Sequence, residues 1–304
     1  MELRLETPST TRQYEQWVSI VEHVTGEVFD VDEVAYVIET DVRSIWLLAS
    51  RGPEVVACGV GRPSSIAGSL FAMARVLPEH RRQGIGTVLY EALSEHARSR
   101  GDTSLFGRVR EDDAESRRFA AARGFAEVSR EHEVVLDVAA ADVSGKPPAG
   151  IELATLAERP ELEQAVYEVD AEVAPDMPRP EGGDHDQPTF ERWHAMYLEG
   201  PGAAPDTCVI ALAGDEVVGY TGLRRRGATS PDAMNMLTAV RRPWRRQGIA
   251  TALKREQIVR ARKLGIQQIY TGNDEENVGM RGVNARLGYQ PAPVVIMVSG
   301  PLAT

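Results

Sequence analysis

The sequence predicts an α+β protein (α/β layered) made of two tandem modules, each with a mixed central sheet flanked by helices. The main observation is that three segments of the first half recur in order in the second half. They are residues 81–86 and 245–250 (offset 245 − 81 = 164), residues 123–125 and 287–289 (offset 164), and residues 54–57 and 216–219 (offset 162). Such nearly constant spacing indicates a duplicated fold rather than a short-period solenoid.

The second observation is the order of apolar patterns in the first half. They predict a strand at 3–5, helices at 11–24 and 31–39, strands at 45–49, 55–60 and 70–76, a long helix after a glycine turn at 84–86, a strand at 104–109, a helix at 114–122 and a strand at 133–136. The long helix has the clearest periodicity, because its apolar residues recur at i, i+3, i+4 and i+8.

The second half repeats this order. It predicts a strand at 151–153, helices at 161–169 and 190–198, strands at 208–212, 217–223 and 234–240, a helix at 250–264, a strand at 268–270, a helix at 278–287 and a strand at 294–298. Each half therefore contains a strand pair, a central strand, a long helix, a further strand and a further helix.

Composition predicts the module boundaries. Residues 138–149 are small, include Pro147-Pro148 and lack apolar periodicity, which is typical of a linker. We therefore predict a first module at 1–138, a linker at 139–149 and a second module at 150–304. A second irregular stretch, 174–188, contains four prolines, and its length predicts a functional loop.

Charge and cysteine content exclude several function classes. The 304 residues carry a formal net charge of −11, which argues against a nucleic-acid or anionic-membrane partner. Cys58 and Cys208 lie too far apart for a metal-ligand spacing or a disulfide framework, so we expect no metal. No segment approaches the ~18 apolar residues of a membrane span, and the charged N-terminus does not resemble a signal peptide. The sequence predicts a cytoplasmic protein and leaves the oligomeric state open.

The repeated turn is the segment that predicts chemistry. Each copy follows a strand, reads Arg-Arg-Gln-Gly-Ile-Gly or Arg-Arg-Gln-Gly-Ile-Ala, and leads into the long helix. Glycines allow close approach of the backbone, and the amides of a helix N-terminus bind anions. The turn is neither a Walker A loop, since no Gly-Lys-Ser/Thr is present, nor a dinucleotide loop, since the third glycine is missing.

These residues resemble the acetyl-CoA pyrophosphate loop of the GNAT N-acetyltransferases. Val76 precedes Gly84 by eight residues, and Val240 precedes Gly248 by eight, as in that family. The family has a second signature, in which an asparagine precedes a Gly-aromatic pair and the aromatic residue follows the asparagine by twelve positions. Asn277 and Tyr289 match this signature. The resemblance covers both halves, so the chain is identified as a tandem duplicated GNAT.

The resemblance implies acetyl-CoA as co-substrate and transfer of its acetyl group to a primary amine by direct attack in a ternary complex. It also implies which residues of the second half bind the co-substrate, namely Thr238, Val240, Arg245, Arg246, Gln247, Gly248, Ile249, Ala250, Asn277 and Asn284. The corresponding residues of the first half are Val76, Arg81, Arg82, Gln83, Gly84, Ile85 and Gly86.

The two halves differ where the family has its asparagine. Asp113 occupies in the first half the place of Asn277 in the second. A carboxylate beside an anionic co-substrate is unfavourable, so we predict a catalytic second module and a degenerate first module. The basic run at 241–246 includes Trp244, a pattern that also suits nucleic acid, but its place inside the turn favours the phosphates of the co-substrate.

Candidate catalytic residues are Asn284, Asp176 and Tyr220. The family's usual tyrosine acid is replaced by Asn284, which can donate a hydrogen bond to sulfur but no proton. Either the thiolate leaves with that help alone, or another tyrosine (Tyr220, Tyr270 or Tyr289) supplies the proton. Asp176, in a segment similar to a motif of tandem GNAT enzymes, is the candidate base; the alternatives are the acidic loop at 181–186, which also suits plain solvation, Asn235 and Asp232.

The acceptor is predicted to be a small-molecule amine, such as an amino sugar, an amino acid or an antibiotic, and the acidic loop residues suggest a cationic or polyamine-like one. A peptide N-terminus is the alternative acceptor. The alternative function is a CoA-binding regulatory or scaffolding protein without turnover. The missing tyrosines favour that alternative, whereas the intact turn and Asn277 oppose it.

Overall fold

A computed structural model describes residues 3–27, 29–64, 66–176, 188–228, 230–273 and 277–304. The chain forms two compact units. Among the described residues, the first unit contains those up to 130 together with 293–304, and the second contains those from 131 to 292.

The first unit has a six-stranded sheet in the order β1-β2-β3-β4-β5-β13. Its elements are β1 (Leu3–Glu6), α1 (Thr11–Thr25), α2 (Val31–Thr40), β2 (Ile45–Arg51), β3 (Glu54–Pro63), β4 (Ser69–Val76), α3 (Ile85–Arg100), β5 (Ser104–Arg110), α4 (Ala114–Ala121) and β13 (Val295–Pro301). All neighbouring strands in this sheet are antiparallel except β4 and β5, which are parallel.

The second unit repeats this plan with strand order β7-β8-β9-β10-β11-β6. Its elements are β6 (Ala126–Asp137, pairing from residue 132), β7 (Glu152–Thr155), α5 (Glu163–Val173), α6 (Phe190–Leu198), β8 (Val209–Ala213), β9 (Glu216–Arg225), β10 (Asp232–Val240), α7 (Ile249–Lys263), β11 (Gln268–Asn273), α8 (Val278–Arg286) and β12 (Gln290–Pro291). Strands β10 and β11 are parallel, and β12 adds two pairs to β6.

Both faces of each sheet are buried, as the near-continuous apolar strands predict. In the first unit, Trp46 and Leu48 of β2 pack against α1 and α2, and the alternate residues Leu47 and Ala49 pack against α3. In the second unit, α5 and α6 cover one face, and α7 and α8 cover the other. The predicted fold class, two tandem α+β modules, is confirmed.

The compact units exchange one strand relative to the sequence repeats. Strand β13, at the end of the second repeat, pairs with β5 of the first unit, from Val295 opposite Arg110 to Pro301 opposite Ser104. Residues 132–137 of β6, at the end of the first repeat, pair with β11 of the second unit. The predicted boundaries at 1–138, 139–149 and 150–304 follow the sequence repeat and stay a prediction for the functional modules.

Each unit contains a fork between its two parallel strands. Strands β4 and β5 pair only from Ser69 opposite Ser104 to Phe71 opposite Phe106, and β10 and β11 pair only from Asp232 opposite Gln268 to Met234 opposite Tyr270. Beyond these positions no further pairing joins the two strands of each pair in the described part of the chain. An open fork exposes backbone edges inside the sheet and so creates a place where an extended ligand can lie.

The change of offset from 162 to 164 is explained by this region. The connection from β3 to β4 has five residues (64–68), whereas that from β9 to β10 has six (226–231). The second extra residue lies in β10, which has a β-bulge between Asn235 and Leu237. Such a bulge bends the strand and increases its twist.

Candidate functional site

The repeated turns have the same unusual backbone. Arg82 and Gly84 have φ angles of 61° and 84°, and Arg246 and Gly248 have 64° and 83°. Among the described residues, the two arginines are the only non-glycine residues with positive φ. Such strain costs free energy and persists where the surrounding structure requires it, which marks both turns as candidate functional elements.

The helices that follow the turns begin without a side-chain cap. Gly84 and Gly248 are the N-caps of α3 and α7, and neither helix has a capping side chain. Side chains do cap the five helices α1, α2, α4, α6 and α8. The first amides of α3 and α7 are therefore available to an anion, which the positive end of the helix dipole also favours. A pyrophosphate fits this arrangement.

The first arginine of each turn ties the turn to the preceding strand. Arg81 Nε donates to the Val76 carbonyl over 3.2 Å, and Arg245 Nε donates to the Val240 carbonyl over 2.9 Å. The rest of each guanidinium pairs with a carboxylate: Arg81 Nη1 with Glu115 over 2.8 Å, and Arg245 Nη2 with Asp176 over 2.7 Å. Both arginines thus hold the turn in place in addition to carrying positive charge beside it.

Asp176 lies against the turn of the second module. Its carboxylate accepts two hydrogen bonds from Arg242, over 3.0 and 2.6 Å, as well as the bond from Arg245. Hydrogen bonds from the Arg242 and Arg245 guanidinium groups hold the pKa of this carboxyl far below its ordinary value. A carboxylate so stabilised is a weak base, so these contacts disfavour Asp176 as the proton acceptor. The alternative acidic loop at 181–186 lies outside the described residues.

Tyr220 is buried on the face of the sheet that α5 and α6 cover. It packs with Trp193 and Tyr197, and its hydroxyl donates to the Asp170 carboxylate. Burial raises the pKa of Tyr220 well above its usual value, and the nearby Tyr197 and Asp170 raise it further. These contacts make it a poor proton donor and explain it better as part of the core.

Asn277 and Asp113 have the same structural role. Asn277 Oδ1 accepts a hydrogen bond from the Met280 amide over 3.2 Å and so caps α8. Asp113 caps α4 by accepting the Ser116 amide over 3.0 Å and the Ser116 hydroxyl over 2.6 Å. Asparagine and aspartate are equally good N-caps, so this difference between the halves leaves the local fold unchanged.

The first unit contains a cleft of about 920 Å³ along its fork. The cleft is lined by residues of both strands of the fork, Ala74 of β4 and Val109 of β5. Arg82 of the turn, Tyr90 of α3 and Phe119 of α4 line it as well. The volume is in the range of small-molecule sites. The first module, which we predict to be degenerate, thus has an open cleft that residues of its repeated turn help to line.

The second unit has buried polar groups around its fork. Asn284 has no hydrogen-bond partner for either side-chain atom among the described residues, and the Tyr289 hydroxyl has none either. Lys254, a residue that the sequence analysis did not identify, is buried and donates to Asn235 Oδ1 over 2.9 Å. Its only sequence signal is that Tyr90 stands at this position of the first repeat.

Comparison with known families agrees with this geometry. Residues 13–125 and 165–289 each match the Acetyltransferase (GNAT) family. The chain belongs to this family. Both halves match, so the predicted tandem GNAT form is confirmed. Family membership indicates acyltransferase activity.

Solved structures with the same tandem GNAT fold span nearly the whole chain. The GCN5-related N-acetyltransferase from Sphaerobacter thermophilus has a TM-score of 0.76 at 20% identity, and the similarity covers 99% of this chain and 96% of that one. The tandem GNAT protein of the clavulanic acid biosynthesis pathway has a TM-score of 0.79 at 20% identity, covering 100% and 99%. A putative acetyltransferase from Pyrococcus horikoshii has 0.61 at 15%, covering 98% and 89%. At these identities the similarity is one of fold, and no curated protein sequence matches this tandem GNAT protein.

Two further features concern metals and membranes. Within the described ranges of this tandem GNAT protein, no three or more His, Cys, Asp and Glu side chains are grouped so that they could hold a metal ion. None of the helices in the described part is long and apolar enough to cross a membrane.

Proposed function

We propose that this tandem GNAT protein transfers the acetyl group of acetyl-CoA to a primary amine of a small-molecule acceptor, by direct attack in a ternary complex. The observation that carries the proposal is the repeated turn. In each copy an arginine and a glycine with positive φ angles precede a helix whose N-terminus has no side-chain cap. The turn follows one of the two parallel strands that form the fork.

The second module has groups that suit the pyrophosphate, the pantetheine and the sulfur of acetyl-CoA. The amides of residues 247–250 and the Arg246 guanidinium suit the pyrophosphate. Thr238 and Val240 lie on the β10 arm beyond its last pair with β11, where an extended pantetheine can add to the strand edge. Asn277 caps α8, and Asn284 of the same helix offers an unpaired amide as a hydrogen-bond donor to sulfur.

The chemistry needs no covalent enzyme intermediate. The acceptor nitrogen attacks the thioester carbonyl carbon, and an N–C bond forms as the C–S bond breaks. The sulfur takes the electron pair of the C–S bond, and the proton that the nitrogen loses passes to water. Cys58 and Cys208 are both free and buried, and burial raises the pKa of the Cys58 thiol well above its usual value and that of Cys208 to about 12. Neither thiol is available as a nucleophile at neutral pH. Free thiols also fit the proposed cytoplasmic location.

We propose that the second module is the catalytic one, and Gly248→Glu against Gly84→Glu tests this. Either change puts a side chain and a negative charge at a residue with positive φ beside the anion site. Gly265→Glu and Gly101→Glu are matched controls, because they change exposed glycines with positive φ at the other ends of α7 and α3.

The measurement is thiol release from acetyl-CoA over a panel of amines that includes a polyamine, an amino sugar, an amino acid and an aminoglycoside. We expect Gly248→Glu to abolish release and both controls to retain it. Loss of release in Gly84→Glu alone would assign catalysis to the first module instead.

The second candidate function is CoA-dependent regulation or scaffolding without turnover. It is favoured by Asn284, which has no titrating proton, and by Tyr220, whose proton is held in the core. Calorimetric binding of acetyl-CoA without thiol release on any amine of the panel would support it over acetyl transfer.

A further inference from the structure

The two modules differ in polarity at three positions of the fork. Tyr90, Ala120 and Phe125 line the cleft of the first unit. At the repeat offset of 164, their counterparts in the second unit are Lys254, Asn284 and Tyr289. These three are 1%, 2% and 5% exposed, so the second module buries an amine, an amide and a phenol where the first has fewer polar groups.

The Lys254 amine lies at the vertex of the second fork. Lys254 is in the second turn of α7, the helix that begins at the anion-binding turn. Its Nζ is 2.9 Å from Asn235 Oδ1, and Asn235 directly follows Met234, the last β10 residue that pairs with β11. Nζ also lies 4.9 Å from the centre of the Tyr289 ring.

The surroundings of this amine contain no balancing negative charge among the described residues. Strand β10 contributes the neutral Asn235 amide, and the segment after α8 contributes the Tyr289 phenol, whose pKa is raised by burial. Two further buried polar side chains of this unit, Asn284 of α8 and Thr221 of β9, are neutral, and Thr221 accepts a hydrogen bond from Gln257, one turn of α7 beyond Lys254. Burial alone lowers the pKa of Lys254, to about 7.

An unpaired buried ammonium is unfavourable unless a ligand brings negative charge to it. A thioester donor does so during the reaction, because its sulfur becomes an anion as the C–S bond breaks. A thiol of ordinary pKa, ~8.5, takes a proton readily from an ammonium that titrates near neutrality.

We propose that Lys254 is the acid of the second module and donates a proton to the CoA sulfur as the thioester C–S bond breaks. This inference rests on the proposed acetyl transfer in that module. The Nζ–H bond breaks and an S–H bond forms, so CoA leaves as the neutral thiol. The proton that the acceptor nitrogen loses passes to water, and water returns one to Lys254, so atoms and charge balance over a turnover.

The first test uses Lys254→Met, with Lys263→Met as a matched control on the exposed end of the same helix. Thiol release is measured between pH 5.5 and 9 with whichever amine of the panel is accepted. We expect Lys254→Met to lower kcat by about 10²- to 10⁴-fold with little change in the KM for acetyl-CoA. We also expect wild-type kcat to fall as the pH rises through the pKa of Lys254, and this limb to be absent from Lys254→Met.

Lys254→Arg separates charge from proton donation. Arginine keeps the positive charge but does not release its proton in this pH range. We expect it to restore little of the lost kcat. Should Lys254→Met fail to fold, Lys254→Gln replaces it, because glutamine can still donate to Asn235.

The second test does not depend on turnover. Free CoA is bound to the Gly84→Glu protein, so that only the second module is loaded, and the ionisation of its thiol is followed by thiolate absorbance. A thiolate and the Lys254 ammonium stabilise each other when they are in contact, so the two groups titrate as a coupled pair in which the bound thiol ionises at a lower pH than that of free CoA. We expect Lys254→Met in the same background to remove this effect. An unchanged thiol pKa with CoA still bound, or full kcat in Lys254→Met, would overturn the inference while leaving acetyl transfer intact. A Lys254-dependent thiol pKa without release on any amine would place the amine at the sulfur and count against the proposed transfer instead.

Discussion

Arg82 and Arg246, 164 positions apart, share a left-handed backbone with φ angles of 61° and 64°. Each lies two residues before the glycine that caps the long helix of its module. An L side chain is strained in this conformation, yet both repeats contain it. The strain therefore belongs to the shared turn and is independent of the differences between the modules.

Replacing these arginines by glycine tests that strain. Arg82→Gly and Arg246→Gly are expected each to raise the free energy of unfolding by up to about 1 kcal/mol, because glycine adopts positive φ without a steric penalty. Urea denaturation measures the change. Arg118→Gly, on the exposed face of α4, is the matched control and is expected to lower stability by about 1 kcal/mol. A loss of stability in the turn variants similar to that of the control would show that the arginine side chains, rather than the backbone, hold the turns.

Neutralising Asp176 tests whether its ion pairs with the arginines at the second turn keep those arginines from binding phosphate. Asp176→Asn removes the charge that Arg242 and Arg245 now share. We expect several-fold tighter CoA binding with a steeper dependence on salt, because two guanidinium groups become available to phosphate. Asp206→Asn, at another exposed aspartate, is the control. Loss of turnover at unchanged CoA affinity would instead restore Asp176 as a candidate base.

Exchanging the two helix caps tests the equivalence of Asp113 and Asn277. Asp113→Asn and Asn277→Asp are expected to change stability by less than about 0.5 kcal/mol, whereas alanine at either position costs about 1 kcal/mol. Denaturant melts of the four variants measure this. If Asn277→Asp keeps full stability but binds CoA much more weakly, Asn277 has a ligand-binding role beyond its role as a cap.

Burial of Lys254 makes stability depend on pH in the alkaline range. The pKa of Lys254 is lowered to about 7 in the folded chain, while an unfolded lysine titrates near ~10.4. Between these values the unfolded state binds a proton that the native state does not, so this group makes stability rise with pH. From pH 7 to pH 10 the unfolding free energy of wild type is therefore expected to rise relative to that of Lys254→Met. The expected rise is a few kcal/mol, on the order of 1.4 per pKa unit.

Lys263→Met provides the comparison for that titration, because Lys263 is exposed on the same helix. It is expected to show no such trend. A constant difference between Lys254→Met and wild type over this range would mean that the buried amine does not titrate there.

Much of the fold could be predicted because its signals are local. Every predicted helix and strand is present, with ends that differ by a few residues in most cases. The largest difference is the strand predicted at 133–136, which extends over Ala126–Asp137. Its first half is polar, with Arg130 paired to Glu127 and Glu111, so apolar alternation did not reveal it.

The candidate site was predictable only where it consists of backbone. The turn, its glycines and its helix are encoded in consecutive residues, and in the structure that turn has positive φ angles and leads into a helix without a side-chain cap. The partners of its side chains are distant in sequence. Asp176 meets Arg245 across 69 positions, and Tyr220 meets Asp170 across 50, so the proposed roles of Asp176 and Tyr220 as base and acid could not be judged from spacing alone.

Two copies of one α+β module, each with a glycine turn between a strand and a long helix, could be recognised from the order of residues alone. Periodicity and repetition suffice for this, because they depend on neighbours along the chain. The folded chain was needed to show that β13 pairs with β5 and β6 with β11, since a strand's pattern identifies its buried faces but not its partner. It was also needed to show that Lys254 lies buried at Asn235, because burial depends on which surfaces meet.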